Sequence, residues 1–170
     1  MSKILVTGGT GLVGAHLLYY LVKNGETPIA IKRVKSNLEN VKKIFNYYSD
    51  KSDVLFEKII WKECDILDFL KLEEIIKNIT HIYHCAALIS FNNSLKQKMI
   101  ETNATGTANV VDLSLKYNIK RICYVSSIAT LGPNHGSPVN ENCFWDWKNQ
   151  SGYAVSKHLA EMEVWRGFAE

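Results

Sequence analysis

The segment Thr7-Gly8-Gly9-Thr10-Gly11-Leu12-Val13-Gly14 constrains this chain more than any other. It follows the short apolar run Lys3-Ile4-Leu5-Val6-Thr7 and opens a stretch of helical period from Leu12 to Asn24. There Leu17, Leu18, Leu21 and Val22 share one face, and Gly25 ends the pattern. A strand that hands over to a helix through glycines makes a tight turn whose backbone an anion can approach. Gly8 and Gly11 carry no Cβ to block a diphosphate, and Gly14 lets the helix pack closely on the strand. The helix N-terminus adds free N–H groups and the positive end of the dipole. Thr7, Gly8, Gly11, Leu12, Val13 and Gly14 are therefore the expected dinucleotide-facing residues. The spacing is G-x-x-G-x-x-G rather than G-x-G-x-x-G, so a glycine-rich turn without a ligand stays open as the alternative.

Beyond this turn, apolar runs alternate with helix-period segments. Strands are expected at Pro28–Lys32, Ile59–Cys64, His81–Ala86 and Arg121–Val125. Helices are expected from a capping box at Ser36-Asn37-Leu38-Glu39, over Asp68–Asn78, over Leu95–Tyr117 and over Tyr153–Ala169. In the first of these, Leu38, Val41, Ile44 and Phe45 point inward. Such alternation predicts βαβ units, hence an α/β fold with a doubly wound parallel sheet covered on both faces. Ser127 to Gly152 is the one long irregular segment, and loops of that length tend to be functional.

Composition excludes several classes. With 170 residues, 46% hydrophobic and 22% charged, the chain has the balance of one globular domain. Its net charge of +3 is small and the basic residues are scattered, so no nucleic-acid face is expected. Ile4–Val22 and Ile122–Asn140 lack charged residues, but glycines interrupt the first and serines, Gly132, Pro133 and Pro138 the second; no membrane span is expected. No secretory signal is visible. Cys64, Cys85, Cys123 and Cys143 form no C-x-x-C, and His16, His81, His84, His135 and His158 share no metal-ligand spacing, so no metal site is expected. These features suit a soluble, cytoplasmic protein.

The second strand ends in Ile31-Lys32-Arg33, where a carboxylate holding the ribose 2′-OH of NAD is the usual arrangement. Arg33 instead suits a 2′-phosphate, which favours NADP over NAD; a solvated basic strand end is the other reading. Ser36 also lies within reach of a phosphate, although its place in the capping box is the preferred role.

Six motifs, in order, resemble the extended short-chain dehydrogenases/reductases, within the NAD(P)-dependent epimerase/dehydratase group. They are the Gly8/Gly11/Gly14 turn, Asp65 after the third strand, and His84-Cys85-Ala86-Ala87 after the fourth. The others are Asn103 in Glu101-Thr102-Asn103-Ala104-Thr105-Gly106-Thr107, the pair Ser126-Ser127, and Tyr153-Ala154-Val155-Ser156-Lys157. The missing carboxylate and Arg33 resemble the dihydroflavonol-reductase-like and 3β-hydroxysteroid-dehydrogenase-like branches. The resemblance implies a Rossmann fold, an NADP cofactor with NAD as alternative, and hydride transfer between nicotinamide and a carbonyl/alcohol pair.

By that resemblance Ser127, Tyr153 and Lys157 are the catalytic set. Tyr153 and Lys157 stand at i and i+4, on one helical face. A phenol with pKa about 10 is a poor base, and a neighbouring ammonium favours the phenolate. Ser127 orients the substrate oxygen, Ser126 is structural, and Lys157 also bonds the nicotinamide ribose. Asp65, followed by Ile66, resembles the acceptor of the adenine amino group or caps its own turn. Ala86 and Ala87 form a cofactor floor or strand-end packing. Asn103 ties helix to strand, with a proton relay as its second role. Trp145 and Trp147 either line a pocket or pack the loop.

Family members run well past this point, so residues 1–170 read as the N-terminal cofactor-binding part of a longer enzyme, without its substrate lobe. Such a piece exposes an apolar sheet edge and helix face. Helices 95–117 and 153–169 resemble the pair that builds a two-fold interface in this family, so a homodimer through them and burial of the same faces within the chain are the two readings; a small-molecule substrate is expected. A nucleotide-sugar epimerase or dehydratase with NAD, and a non-catalytic dinucleotide-binding module, are the competing readings.

Overall fold

The computed structural model describes residues 3–132 and 138–170; Pro133 and His135 lie outside the described residues. Strands β1 (Ile4–Thr7), β2 (Ile29–Lys32), β3 (Ile60–Glu63), β4 (His81–His84) and β5 (Arg121–Tyr124) form one sheet in the order β3-β2-β1-β4-β5. All four pairings are parallel. The helices between them are α1 (Leu12–Lys23), α2 (Glu39–Tyr48), α3 (Ser52–Phe56), α4 (Phe69–Ile76), α5 (Lys96–Ile100), α6 (Gly106–Lys116) and α7 (Gly152–Ala169). This is the doubly wound α/β architecture that the alternation predicts.

Side-chain alternation along the strands divides the core in two. Ile4, Val6 and Ala30 face one side and pack with Leu18 and Val22 of α1 and Val41 and Phe45 of α2. Leu5, Ile31 and Ile82 face the other, against Leu72 and Ile76 of α4 and Val110 and Leu113 of α6. Both layers are apolar because a central parallel strand is covered on both faces. Asp68 caps α4 by accepting from the Lys71 amide, and Ser151 caps α7 by accepting from the Ala154 amide at 3.0 Å.

Three expectations change. The Ser36 capping box does not form: α2 begins at Glu39 and its N-cap, Leu38, makes no side-chain bond. Ser36 closes a turn with Arg33 instead, accepting from the Arg33 amide at 3.1 Å while its own amide donates to the Arg33 carbonyl. The long helix over 95–117 is interrupted, because a π turn at Glu101–Thr105 separates α5 from α6. A short helix, α3, also fills a connection with no clear period in the sequence. No helix among the described residues is long and apolar enough to cross a membrane. Among the described residues β5 is an edge strand, and Trp165 and Phe168 on α7 are 61% and 84% exposed.

Candidate active site

At the carboxyl ends of β1, β2, β3 and β4 lies a cavity of about 320 Å³. Gly8, Gly11, Arg33, Asp65, Ile66, Ala86 and Ala87 all line it, so seven residues singled out in the sequence meet there. Such a crevice at the strand ends is where open parallel sheets bind ligands. Thr7 and Gly14 sit behind its wall, both buried. Leu12 and Val13 are exposed at the start of α1, 72% and 51%. Thr10, Cys64, Cys85, Leu88 and Thr102 line the cavity without a sequence signal for it, and Ser36, the second choice for a phosphate contact, lines it too. Ser36 was set second by its apparent capping role, and Cys64 and Cys85 were hidden by their apolar surroundings.

The glycine turn is built by close approach. Gly8 has φ +66°, and a Cβ there would meet the Ala86 amide nitrogen at 2.6 Å. A Cβ on Gly14 would overlap the Gly8 carbonyl, so α1 docks directly on the turn. Gly11 is the N-cap of α1 and has no side chain to satisfy the first helical N–H groups. This uncapped helix start, opening on the cavity beside a Cβ-free backbone, fits the diphosphate of a dinucleotide.

Asp65 uses Oδ1 to accept from the Leu67 amide at 3.0 Å, so it shapes the turn after β3 while still lining the cavity. Lys32 pairs with Glu63 at 3.9 Å, which leaves Arg33 as the cation at the end of β2 that makes no ion pair among the described residues. A second cavity of about 550 Å³ adjoins the first and shares Arg33, Ser36, Cys64 and Asp65 with it.

Behind the cavity runs a buried polar chain. The Ala86 amide donates to Thr7 Oγ1 at 3.2 Å, and Thr7 Oγ1 lies 2.6 Å from His84 Nδ1. His84 Nε2 lies 2.9 Å from Thr107 Oγ1, which donates to the Asn103 carbonyl. Since Thr107 spends its proton on Asn103, His84 carries its proton on Nε2 and accepts from Thr7 at Nδ1. Burial, together with the Lys157 charge, pushes the His84 imidazole down to about 3, so it is neutral.

Asn103 occupies the π turn. Its Oδ1 accepts from the Leu88 amide at 2.7 Å, and its Nδ2 donates to the Leu88 carbonyl and to Ser156 Oγ. It therefore joins the segment after β4 to α7. On α7, Lys157 is 1% exposed and donates to the Val125 carbonyl at 2.8 Å. Burial pushes its amine down to about 8, against the opposing pull of Glu161 and Cys85. Tyr153 lies one turn earlier, half-buried, with no side-chain hydrogen bond among the described residues. Ser127 Oγ accepts from the Ala129 amide at 3.2 Å, leaving its own proton available. Ser126 donates to Glu161 on α7. Neither Ser127, Tyr153 nor Lys157 lines the glycine-turn cavity; Tyr153 and Lys157 stand on α7, and Ser127 caps the short 3₁₀ turn that follows β5. Trp145 stacks on His158 at 4.1 Å, so this loop packs against α7.

A parallel sheet of this order, with a ligand crevice at its strand ends, makes this a Rossmann-like domain. The model of the NAD dependent epimerase/dehydratase family matches residues 4–169, and the chain belongs to that family. UDP-glucose 4-epimerase of Dictyostelium discoideum is 29% identical over 146 residues, covering 83% of this chain and 40% of that protein. The 3β-hydroxysteroid dehydrogenase/Δ5→4-isomerase of Monkeypox virus is 28% identical over 172 residues, covering 96% and 46%. A crystal structure of UDP-glucose-4-epimerase from Stenotrophomonas maltophila with bound NAD and formylated UDP-arabinopyranose shares the fold, with TM-score 0.81 and 19% identity. That match covers 98% of this chain and 48% of the other. The chain spans about half the length of the relatives it matches.

Proposed function

We propose that the chain carries the cofactor site and proton-transfer residues of an NADP-dependent oxidoreductase acting on a carbonyl/alcohol pair. The observation that carries this reading is Arg33 at the end of β2, lining the cavity beside Ser36 and free of any ion pair among the described residues. A bidentate guanidinium grips a phosphate, whereas a carboxylate at that place repels one. The uncapped start of α1, with the Leu12 and Val13 amides, would hold the diphosphate. Asp65 and Ile66 would receive the adenine, and Ala86 and Ala87 would form the floor. When bound, the nicotinamide supplies hydride transfer.

The proton is handled by the chain itself. Tyr153 Oη donates it to the carbonyl oxygen during reduction, or takes it from the alcohol in the reverse direction. Ser127, whose oxygen is occupied by the Ala129 amide, directs its free proton at the same substrate oxygen. Lys157 brings a positive charge to the same helical face, held in place by Val125.

NAD-dependent epimerisation or dehydration of a nucleotide sugar is the second reading, favoured by the likeness to the Dictyostelium epimerase. Fluorescence titration with NADPH and NADH separates the two. NADPH is expected to bind more tightly, and Arg33→Ala to weaken NADPH by about tenfold or more while leaving NADH nearly unchanged. Equal affinities insensitive to Arg33→Ala overturn the NADP assignment, and NAD retained through purification favours the epimerase reading. The four cysteines are free, which suits a reducing cytoplasm. Exposed Met162, Trp165 and Phe168 on α7 suit a homodimer through that helix and the 95–117 segment.

A further inference from the structure

The Lys157 ammonium has three protons to place but only one hydrogen-bond acceptor among the described residues, the Val125 carbonyl at 2.8 Å. A second side is covered by an aromatic ring: Nζ stands 4.3 Å from the centroid of Tyr124. That ring is itself held by His84, whose centroid lies 5.6 Å away on the fully buried side of β4. The Tyr124 hydroxyl is buried and has no hydrogen-bond partner among the described residues. Whatever keeps tyrosine-like bulk at this position, the oxygen does not serve it. What the side chain offers its neighbour is the negative face of its π system.

Resting on the catalytic reading of Lys157 above, we propose that Tyr124 is a positioning residue whose ring face holds the Lys157 ammonium charged and aimed along the Tyr153 side of α7. The other ionisable groups around the amine come from α7 and from β4 with the segment after it. From α7, Glu161 favours the charge and Tyr153 sits one turn away; after β4, Cys85 also favours it, while β4 itself contributes only the neutral His84. Glu161 is already engaged by Ser126 and Trp165. Beside the Val125 carbonyl, the Tyr124 ring is therefore the group that compensates desolvation of the amine at close range. A face-on cation–π contact strengthens as its partners are withdrawn from water, and here the ammonium is buried while the ring is half-buried.

The test is a titration of Lys157 by NMR in protein carrying ¹³Cε-lysine, assigned through Lys157→Met, without cofactor. Phe, then phenylalanines of increasing ring fluorination, are placed at position 124; fluorination drains the π face while keeping the shape. Tyr124→Phe is expected to leave the Lys157 midpoint within a few tenths of a unit, and to keep or raise Tm. Successive fluorination is expected to lower the midpoint stepwise, by about one unit in total. Tyr124→Leu is expected to lower it similarly. A midpoint indifferent to fluorination, or a Tyr124→Phe shift as large as that of Tyr124→Leu, overturns the proposal. NADPH titration of the same samples keeps the two questions apart: loss of all dinucleotide binding in the unsubstituted protein defeats the oxidoreductase reading and leaves the Lys157 titration standing.

Discussion

The Asn103 side-chain amide donates to Ser156 Oγ at 2.8 Å, and that hydroxyl donates onward to the Tyr153 carbonyl at 2.7 Å. A residue in the π turn thus fixes the first turn of the helix that presents Tyr153 and Lys157. Asn103→Ala removes three hydrogen bonds and leaves the Leu88 backbone and the fully buried Ser156 hydroxyl without it. Unfolding in urea is expected to show a loss of roughly 2–4 kcal/mol. A loss below about 0.5 kcal/mol would show that water replaces the amide without cost.

His84 makes stability depend on acid. Its folded value is about 3 against an ordinary 6.5, so between those limits the unfolded chain binds a proton that the folded chain refuses. Stability from this group therefore falls as pH drops from about 6.5 toward 3, by on the order of a few kcal/mol. His84→Gln is expected to be less stable at pH 7 but to show a flatter Tm against pH across that window. An unchanged slope removes His84 as the source.

Tyr153→Phe keeps the shape of the ring and deletes the hydroxyl to which proton transfer is assigned in the proposed function. With a carbonyl compound that the parent protein reduces, NADPH consumption is expected to fall by about 10²–10⁴-fold. NADPH affinity, measured by fluorescence on the same variant, is expected to change less than about threefold, because the Tyr153 hydroxyl makes no hydrogen bond among the described residues that its loss would break. Substantial residual turnover takes the proton-transfer role away from Tyr153.

Gly14→Ala tests the docking of α1. The added methyl overlaps the Gly8 carbonyl, so the helix must shift outward, at a cost of about 1–3 kcal/mol. Dinucleotide affinity is expected to fall along with Tm. Retained affinity with lowered Tm would separate the turn from the helix.

Much of this was legible from the chain alone, for identifiable reasons. Val41 with Phe45 advertises its face through helical period, and the short apolar runs bounded by turn residues mark the strands, so the five strands and α1, α4 and α7 could be placed to within about two residues, whereas α3 could not. The cavity-lining positions Gly8, Gly11, Arg33, Asp65 and Ala86 were findable because each follows a strand end. The π turn was not, since Asn103 is turned by Leu88 and Ser156, which lie far from it in sequence. Ser36 misled because a capping box and an Arg33–Ser36 turn use the same residues, and only the three-dimensional path of β2 decides between them. His84 showed only as part of a motif; its partners Thr7 and Thr107 come from two other elements.

The contact between Gly14 and the Gly8 carbonyl has a bearing on how quickly a ligand is captured. The turn is closed by its own backbone, with the Gly11 amide donating to the Gly8 carbonyl at 2.9 Å. The freedom of this loop is surrendered when the chain folds, not when a ligand arrives. A diphosphate bound as proposed would meet donors that are already aimed, so little of its binding free energy would be diverted into ordering the site. Capture at such a cradle is governed by encounter and charge rather than by waiting for a loop to close.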